Sequence, residues 1–486
     1  VCIVGTGAGG SAAARALSEA GRRVVMVEAG SFFTPSDFSQ REEQMMPRLF
    51  YDAGGRWTKN QAIRIMHGKG VGGSTLHNIN LCKPLPEELL EEWDLPGFDK
   101  SSFGPFLAQA EQLLGVSEVE AARVNRNNQI LKDGVERLGY RGGPLRHNRE
   151  GCVGSGFCEL GCAYDAKLNA MRVMLPAAVK NGTDIFADTK AIRLLHSGRR
   201  ITELLAETIP PAWSERAGHA GPLRIRAKHF VVSAGAIETP LLLQRSEIPD
   251  PHRRVGARLH LHPGLAAAGV FEDPVYSWQG IPQSYECTEF LSFRHADHRR
   301  IWILPNAAHP VGAATIMPGF GQAHAERMRQ YAHLAPLSAM LHDSSSGTVR
   351  ERWGKPVIDY VLTPEDREQL ALGLRECAKL LFAGGAQKVW LPFERFVSLE
   401  HPRDVRGLEI QIRDHDIGLV SVHPMSSVWM GRRENDSCLD HTCRYWHMDN
   451  LHVADTSVYP TSIGIPPQVT TYAIGLYVGS MLAGMS

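Results

Sequence analysis

No charge of either sign dominates this chain. Its 486 residues carry 52 Lys and Arg against 52 Asp and Glu, a formal net charge of zero. That removes the global electrostatic case for nucleic acid or an anionic membrane as partner. Long apolar runs are missing too, and none approaches the roughly 18 residues of a spanning helix. The apolar stretch 472–485 is short and rich in Gly and Ala, which predicts a buried helix and no membrane span. Cysteines are few and odd in number, nine, which excludes a disulfide scaffold. There is no internal repeat and no low-complexity tract. With 43% hydrophobic and 21% charged residues, the chain is neither disordered nor fibrous. A prior of roughly 100–200 residues per domain predicts two to four domains.

What the chain has in quantity is glycine, 47 residues, and the glycines cluster. Residues 1–4 form a short apolar run that reads as a buried strand and breaks into Gly5-Thr-Gly7-Ala-Gly-Gly10. A helical pattern of small residues follows through Ala12, Ala13, Ala16, Leu17 and Ala20; Gly21 ends it, and residues 24–27 form a second strand closing on Glu28. This is a β-α-β unit. Val1 already lies in the strand-like run, so no leader is represented and cytoplasm and periplasm both stay open. Gly5 allows the tight turn, Gly7 lets the backbone approach a pyrophosphate, and Gly10 lets helix and strand pack closely. The helix N-terminus offers N–H donors to phosphate, and Glu28 can accept from ribose hydroxyls. The fingerprint predicts a bound dinucleotide without separating FAD from NAD.

Further along, residues 35–60 show no period and read as a long connection, while 85–115 and 117–150 read as helical, with Trp93 and Phe106 in the core. Short β runs fill 185–235. Residues 300–304 read as a strand, and 347–352 with 356–362 as a hairpin across Gly354. Thr363 as N-cap, Pro364 at the first helical position and Asp366 in the first turn predict a helix whose apolar face holds Leu370, Leu374, Cys377 and Leu381. These antiparallel strands with covering helices predict a separate substrate-side domain, with Trp278 and Trp302 as aromatic candidates for its pocket.

Three more segments carry a family likeness. They are Gly68-Lys-Gly-Val-Gly72-Gly73-Ser74-Thr75-Leu-His77-Asn78, then Ser233-Ala234-Gly235-Ala236-Ile-Glu-Thr239-Pro240, then the pair His423-Pro-Met-Ser-Ser-Val-Trp-Met430-Gly431 and Asn450-Leu-His-Val-Ala-Asp455. In order and spacing the chain resembles the glucose–methanol–choline (GMC) family of FAD-dependent oxidoreductases over nearly its whole length. The resemblance implies an α/β fold in which a Rossmann-like FAD-binding domain is assembled from discontinuous segments, 1–84, 163–265 and 418–486. A helical, Cys-rich insertion would span 85–162, and an α+β substrate domain with an antiparallel sheet 266–417. It implies FAD held by Gly5, Gly7, Gly10, Glu28, Gly68, Gly72, Gly73, Ser74, His77, Asn78, Ala234, Asp455 and Pro467. It further implies oxidation of a CH–OH group: a base takes the hydroxyl proton while the carbinol carbon gives hydride to flavin N5. His423 matches the base, and a neutral imidazole is available at physiological pH. In the family a His at the place of His77 can bond covalently to the flavin 8α-methyl; packing beside the flavin without a bond is the alternative.

Two departures stand out. Ser426 and Ser427 replace the usual Gly-Thr, and Gly464-Ile-Pro466-Pro467 stands where the family places Asn or His. Pro466 has no side-chain donor and no N–H, so it cannot hold a substrate alkoxide. The third feature is Cys152-Val-Gly-Ser155-Gly-Phe-Cys158-Glu-Leu-Gly-Cys162. With Cys at 155 it would have ferredoxin spacing. As it stands it is similar to the three-Cys segment of bacterial FAD-dependent glucose dehydrogenases, which implies a [3Fe-4S] cluster on Cys152, Cys158 and Cys162. A structural loop, a disulfide with a spare thiol, and zinc are the other readings. Cys438 and Cys443 carry no expected role.

The first functional reading is an FAD-dependent dehydrogenase that oxidises a small-molecule alcohol and passes electrons through the cluster to an external acceptor such as a cytochrome or quinone. The second keeps FAD but changes the chemistry to C–C dehydrogenation, isomerisation or elimination, motivated by Pro466. The third is a non-catalytic flavoprotein-like subunit, against which the intact Gly5, Gly7, Gly10, Glu28 and His423 weigh.

Overall fold

The short apolar runs Cys2–Val4, Val25–Val27, Asp184–Phe186, Phe230–Val232 and Leu451–Val453 pair side by side, all parallel. The order is Leu451–Val453, Phe230–Val232, Cys2–Val4, Val25–Val27, Asp184–Phe186. Three of them are buried at every residue, as a parallel sheet covered on both faces requires. One cover is the helix Ala8–Glu19, on which the last helix, Gln468–Gly484, lies closely. Small residues make that approach possible: a side chain at Gly475 would overlap the Gly9 carbonyl, and one at Gly479 would stand 2.8 Å from the Ala13 carbonyl. The last helix is buried over most of its length, as its composition predicts. This computed structural model describes residues 1–211, 213, 220–294 and 298–485.

A second, ten-stranded sheet is largely antiparallel. Its path runs Arg56–Trp57, Ile63–Ile65, Leu419–Ser421, Gly264–Val270, Leu334–Leu341, Ile301–Pro305, Tyr285–Cys287 and Gly142–Pro144, with Lys388–Leu391 and Val397–Leu399 attached at the side. The helices Arg126–Leu138 and Pro364–Ala383 pack together over it. Three further strands, Thr189–Ser197, Arg200–Thr208 and Gly221–Arg226, make a separate antiparallel sheet. Among the described residues, no helix is long and apolar enough to cross a membrane.

The expected boundaries shift in places. The strands at 56–65, 142–144 and 419–421 pair into the large sheet, although they lie outside the expected 266–417. The helical reading of 85–115 resolves into Glu87–Trp93 and Gly104–Leu113, because Asp94 is left-handed and ends the first helix. Of 117–150 only Arg126–Leu138 is a long helix; Gly139 caps it in the left-handed region, and Gly142–Pro144 turns into a strand. The connection at 35–60 holds a helix, Glu42–Leu49, whose apolar period is too short to read. Trp302 is no pocket residue: it is fully buried and its indole N–H donates to Glu286 at 2.6 Å. Asp366 is more than a first-turn charge, since it is fully buried, accepts from Ser344 and Ser345, and pairs with Arg300 at 2.9 Å.

Candidate active site

The first strand ends at Gly5, whose φ of +95° makes the turn into the helix Ala8–Glu19. A Cβ at Gly5 would overlap the Ser233 carbonyl, and one at Gly10 would overlap the Gly5 carbonyl. These two glycines are demanded by the chain's own packing. Gly7, the N-cap of the helix, is different: a Cβ there would meet only Gly73 Cα at 3.9 Å. Its bareness is left for a ligand to use, at a helix start suited to phosphate.

Glu28, at the end of the second strand, gathers the surrounding loops. It accepts from Thr6 N at 3.0 Å, Thr6 Oγ1 at 2.8 Å, Gly30 N at 2.9 Å and Gly70 N at 3.3 Å. Burial pushes its pKa up, against four hydrogen bonds that favour the charge. The expectation that it binds ribose therefore gains a second duty, that of tying the Gly-rich loop to the nucleotide turn. Thr6 completes the tie by accepting from Gly72 N at 3.0 Å. Thr6 escaped the sequence reading because it sits at a variable place inside the glycine motif.

The second loop folds back on itself: Gly68 N donates to Ser74 Oγ at 3.0 Å, and the turn Gly73–Leu76 is entered through Gly72 at φ +110°. Gly73 lies so close to Gly7 that a Cβ on it would stand 2.7 Å from Gly7 Cα. His77 is buried over Gly68 and against Phe50, ring centroids 4.0 Å apart, with Nε2 unpartnered. Burial, then the Lys167 charge, lowers its pKa to about 3. Asn78 donates to Gln468 at 2.9 Å and leaves its Oδ1 unpartnered. His67 Nδ1 and Asn80 Oδ1 are also buried without partners. Of these, His77 Nε2 and Asn78 Oδ1 lie within the Gly-rich loop, where a polar ligand could satisfy them, whereas Asn80 lines the cavity of the three cysteines.

The third segment starts a helix, Gly235–Arg245, held at its N-terminus by Asp455. Asp455 accepts from Gly235 N at 2.9 Å and Thr239 Oγ1 at 2.6 Å, and Ala234 N donates to Thr239 Oγ1 at 3.1 Å. Pro467 caps the last helix and its carbonyl accepts from Thr471 N at 2.8 Å.

His423 follows the strand Leu419–Ser421, at one end of the large sheet. The antiparallel neighbours bring two other segments to that end: His262 just before Gly264–Val270, and Asp343 just after Leu334–Leu341. His423 Nδ1 lies 3.1 Å from His262 Nδ1. Burial, then the neighbouring His262, holds the His423 pKa well below its ordinary value, which favours the neutral ring. Asp343 accepts from Leu261 N at 2.9 Å, His262 N at 3.1 Å, Ser462 Oγ at 2.6 Å and Tyr360 OH at 2.6 Å. Complete burial opposes its charge, but His260 at 3.5 Å, then the Ser462 and Tyr360 hydroxyls, hold its pKa far below the carboxylate range. Sequence reasoning missed His262 and Asp343. The alternation Leu259-His260-Leu261-His262-Pro263 was a signal for the first; nothing local marks the second. Pro466 is buried in the segment that carries Ser462, so that segment does reach this corner, through Ser462 rather than through an Asn or His.

Cys152, Cys158 and Cys162 are free thiols lining one cavity of about 20 Å³, the size of a single water. Gly154 N donates to Cys152 Sγ at 3.4 Å and Ala166 N to Cys162 Sγ at 3.3 Å. Burial pushes the Cys158 thiol up to about 11. The expected cluster site is corrected in one respect. Among the described residues no three His, Cys, Asp or Glu side chains converge to hold a metal ion. The backbone is pinned elsewhere: buried Lys167 donates to the carbonyls of Leu76, Asn78 and Cys158, and Arg123 donates to that of Cys152. Cys438 and Cys443 are buried, and Cys443 lies 3.4 Å from Met430 Sδ.

Family models place these features together. The GMC oxidoreductase N-terminal model matches residues 46–264 and the C-terminal model 343–475, while an NAD(P)-binding Rossmann-like domain matches 3–66. The chain belongs to the GMC oxidoreductase family. An uncharacterized GMC-type oxidoreductase of Mycobacterium tuberculosis is 30% identical over 482 residues, 98% of this chain and 74% of that protein. A long-chain-alcohol oxidase of Arabidopsis thaliana is 28% identical, over 98% of this chain and 67% of its own. Choline oxidase of Arthrobacter globiformis is 24% identical, over 97% and 92%. Among solved structures, pyridoxine 4-oxidase from Mesorbium loti superposes with a TM-score of 0.72 at 19% identity, over 99% of this chain and 98% of that one, which shows the shared fold. FAD is the cofactor this family implies. The residues of this GMC oxidoreductase fit it, in the bare Gly7 and the orphaned atoms of the second loop.

Proposed function

We propose that this GMC oxidoreductase oxidises an alcohol at its CH–OH group with His423 as the base. The observation that carries the reading is the geometry of His423, whose Nδ1 lies 3.1 Å from His262 and whose Nε2 is thereby left for substrate; burial favours its neutral form. Bound FAD supplies the acceptor for the hydride. His423 takes the hydroxyl proton as the carbinol carbon is oxidised. Glu28, Gly7 and the loop 68–78 hold the cofactor; His77 packs beside it, and its free Nε2 leaves covalent attachment open to a direct test. The relatives named for long-chain alcohols and choline support an alcohol substrate.

The test is anaerobic bleaching of the flavin absorbance by a panel of primary and secondary alcohols, with a matching aldehyde or ketone as product. Protein that binds flavin yet is bleached by none of them overturns the reading. Acid precipitation reads attachment: flavin left in the supernatant is non-covalent. Pro466 motivates the rival chemistry of C–C dehydrogenation, isomerisation or elimination, which consumption of substrate without a free hydroxyl would support. For the exit of electrons, an iron–sulfur cluster on Cys152, Cys158 and Cys162 would supply one-electron chemistry toward an external acceptor; the two N–H···S bonds suit it, whereas the cavity, the size of a single water, would have to widen to hold it. Iron and acid-labile sulfide in anaerobically purified protein decide that point; their absence leaves a thiol loop.

A further inference from the structure

Two imidazole nitrogens 3.1 Å apart share a proton: two lone pairs would repel, and two N–H groups would collide. The His423 and His262 rings meet with their Nδ1 atoms facing, centroids 5.1 Å apart and planes 26° from parallel. Only one arrangement leaves His423 a base at Nε2. Its own Nδ1 carries the shared proton, and His262 accepts there and is protonated at Nε2. His262 Nε2 is buried with no partner, and the residue is fully buried.

We propose that His262 is the positioning residue and proton relay of His423. It fixes the tautomer of the base and takes the base's Nδ1 proton as the base takes the substrate's. This rests on the alcohol-oxidation reading for its second half only. In that step the substrate O–H bond breaks and an N–H bond forms at His423 Nε2. The His423 Nδ1–H bond breaks and an N–H bond forms at His262 Nδ1. The hydride of the carbinol carbon would pass to bound FAD, which would be the oxidant. His423 ends neutral and His262 ends as an imidazolium.

One neighbour favours that charge, and it is needed only for as long as the step lasts. Asp343 accepts from the backbone N–H of His262 at 3.1 Å, and its hydrogen-bond partners favour the ionised carboxylate. It keeps His262 at a φ of 47°, a left-handed conformation rare for His, which aims the ring at His423. The other titratable groups at this corner are His260, whose Nδ1 is 3.5 Å from Asp343; Tyr360, whose hydroxyl donates to Asp343; and His342, whose ring bonds to the Ser462 carbonyl at 3.0 Å. Burial is the main force against a charge on His262, taking its pKa to about 4; the Asp343 charge favours it and His342 opposes it. The device also suits Pro466. A site without a second donor on the substrate oxygen gains by moving the abstracted charge one residue further away.

The experiment uses the holoenzyme labelled with ¹⁵N-histidine. Near pH 7.5 we expect His423 protonated at Nδ1 and bare at Nε2, with a nitrogen–nitrogen coupling across the hydrogen bond to His262. The coupling should vanish in His262→Gln. His423 protonated at Nε2 in the wild type, or no coupling between the two rings, overturns the proposal without any variant having to fold. A second arm follows flavin bleaching by 1-octanol, and by the best alcohol of the panel, in H₂O/D₂O mixtures. The wild type should show a curved, two-proton inventory. His262→Gln should show a linear one and be about tenfold slower, with His262→Ala slower still. Linear inventories in both wild type and variant overturn the relay. Bleaching by no alcohol defeats the alcohol reading instead, and the labelled spectrum still decides the tautomer.

Discussion

At the glycine loops backbone meets backbone: Gly10 lies against the Gly5 carbonyl, Gly5 against that of Ser233, and Gly73 against Gly7. At the histidine corner side chains meet instead, from segments around 262, 343, 423 and 462, and one carboxylate, Asp343, ties three of those segments together. The loops bind by what they lack, and their design is compressed into a few neighbouring residues. The corner acts by what it holds, and its design is spread over the ends of three neighbouring strands and one loop. The lesson is that a cofactor cradle can be lost by adding one methyl group, whereas the chemistry can be lost by removing one proton acceptor.

The largest effect should come from overfilling the loops. Gly10→Val forces a side chain into the Gly5 carbonyl, and no folded protein is expected by circular dichroism. Gly7→Ala sharpens the contrast, because the added Cβ meets only Gly73 Cα at 3.9 Å. Stability should change by no more than about 1 kcal/mol while flavin content falls. A Gly7→Ala protein that loads FAD fully would break the distinction between packing and binding glycines.

Next is His423→Ala, which should keep its flavin and slow bleaching by alcohol at least ~100-fold, the usual loss for a general base. Full activity would remove the corner from the mechanism. Asp343→Asn comes third. An amide cannot accept all the bonds that the carboxylate takes from Leu261, His262, Ser462 and Tyr360, so about 2–4 kcal/mol of stability should go, read by urea unfolding. Flavin bound per folded protein should stay unchanged, since none of those bonds reaches the glycine loops.

The fourth prediction concerns pH and joins both regions. Burial lowers His77 to about 3 in the loop and His262 to about 4 in the corner; His147 and His452 behave alike, at about 3 and about 4. The unfolded chain binds protons at these residues below about pH 6.5, and the folded chain does not until far lower. Stability from these groups is therefore full above pH 6.5 and is lost as pH falls toward 4. At pH 5 a histidine lowered to about 4 has surrendered roughly 2 kcal/mol. The urea midpoint should drop steadily between pH 7 and pH 5, and His452→Gln should flatten part of that slope. A flat profile would mean the rings are hydrated.

The fingerprint at 5–28, the loop at 68–78 and the two C-terminal motifs were legible because their work is done by neighbours in sequence: a strand end, a bare turn, a helix start. So was the helix Pro364–Ala383, whose Thr363 cap accepts from Asp366 as expected. The large sheet was only partly legible, since its short strands at 56–65, 142–144 and 419–421 carry too few residues for a period to show. What the sequence by itself determined was the nucleotide-binding unit, the family, and His423 as a candidate base. What only the tertiary structure decided was the company His423 keeps. Antiparallel pairing of Gly264–Val270 with Leu334–Leu341 and with Val420 sets His262, Asp343 and His423 at one end of one sheet. No spacing rule can announce that meeting, because residues 161 apart in the chain become neighbours only when the strands between them have found their register.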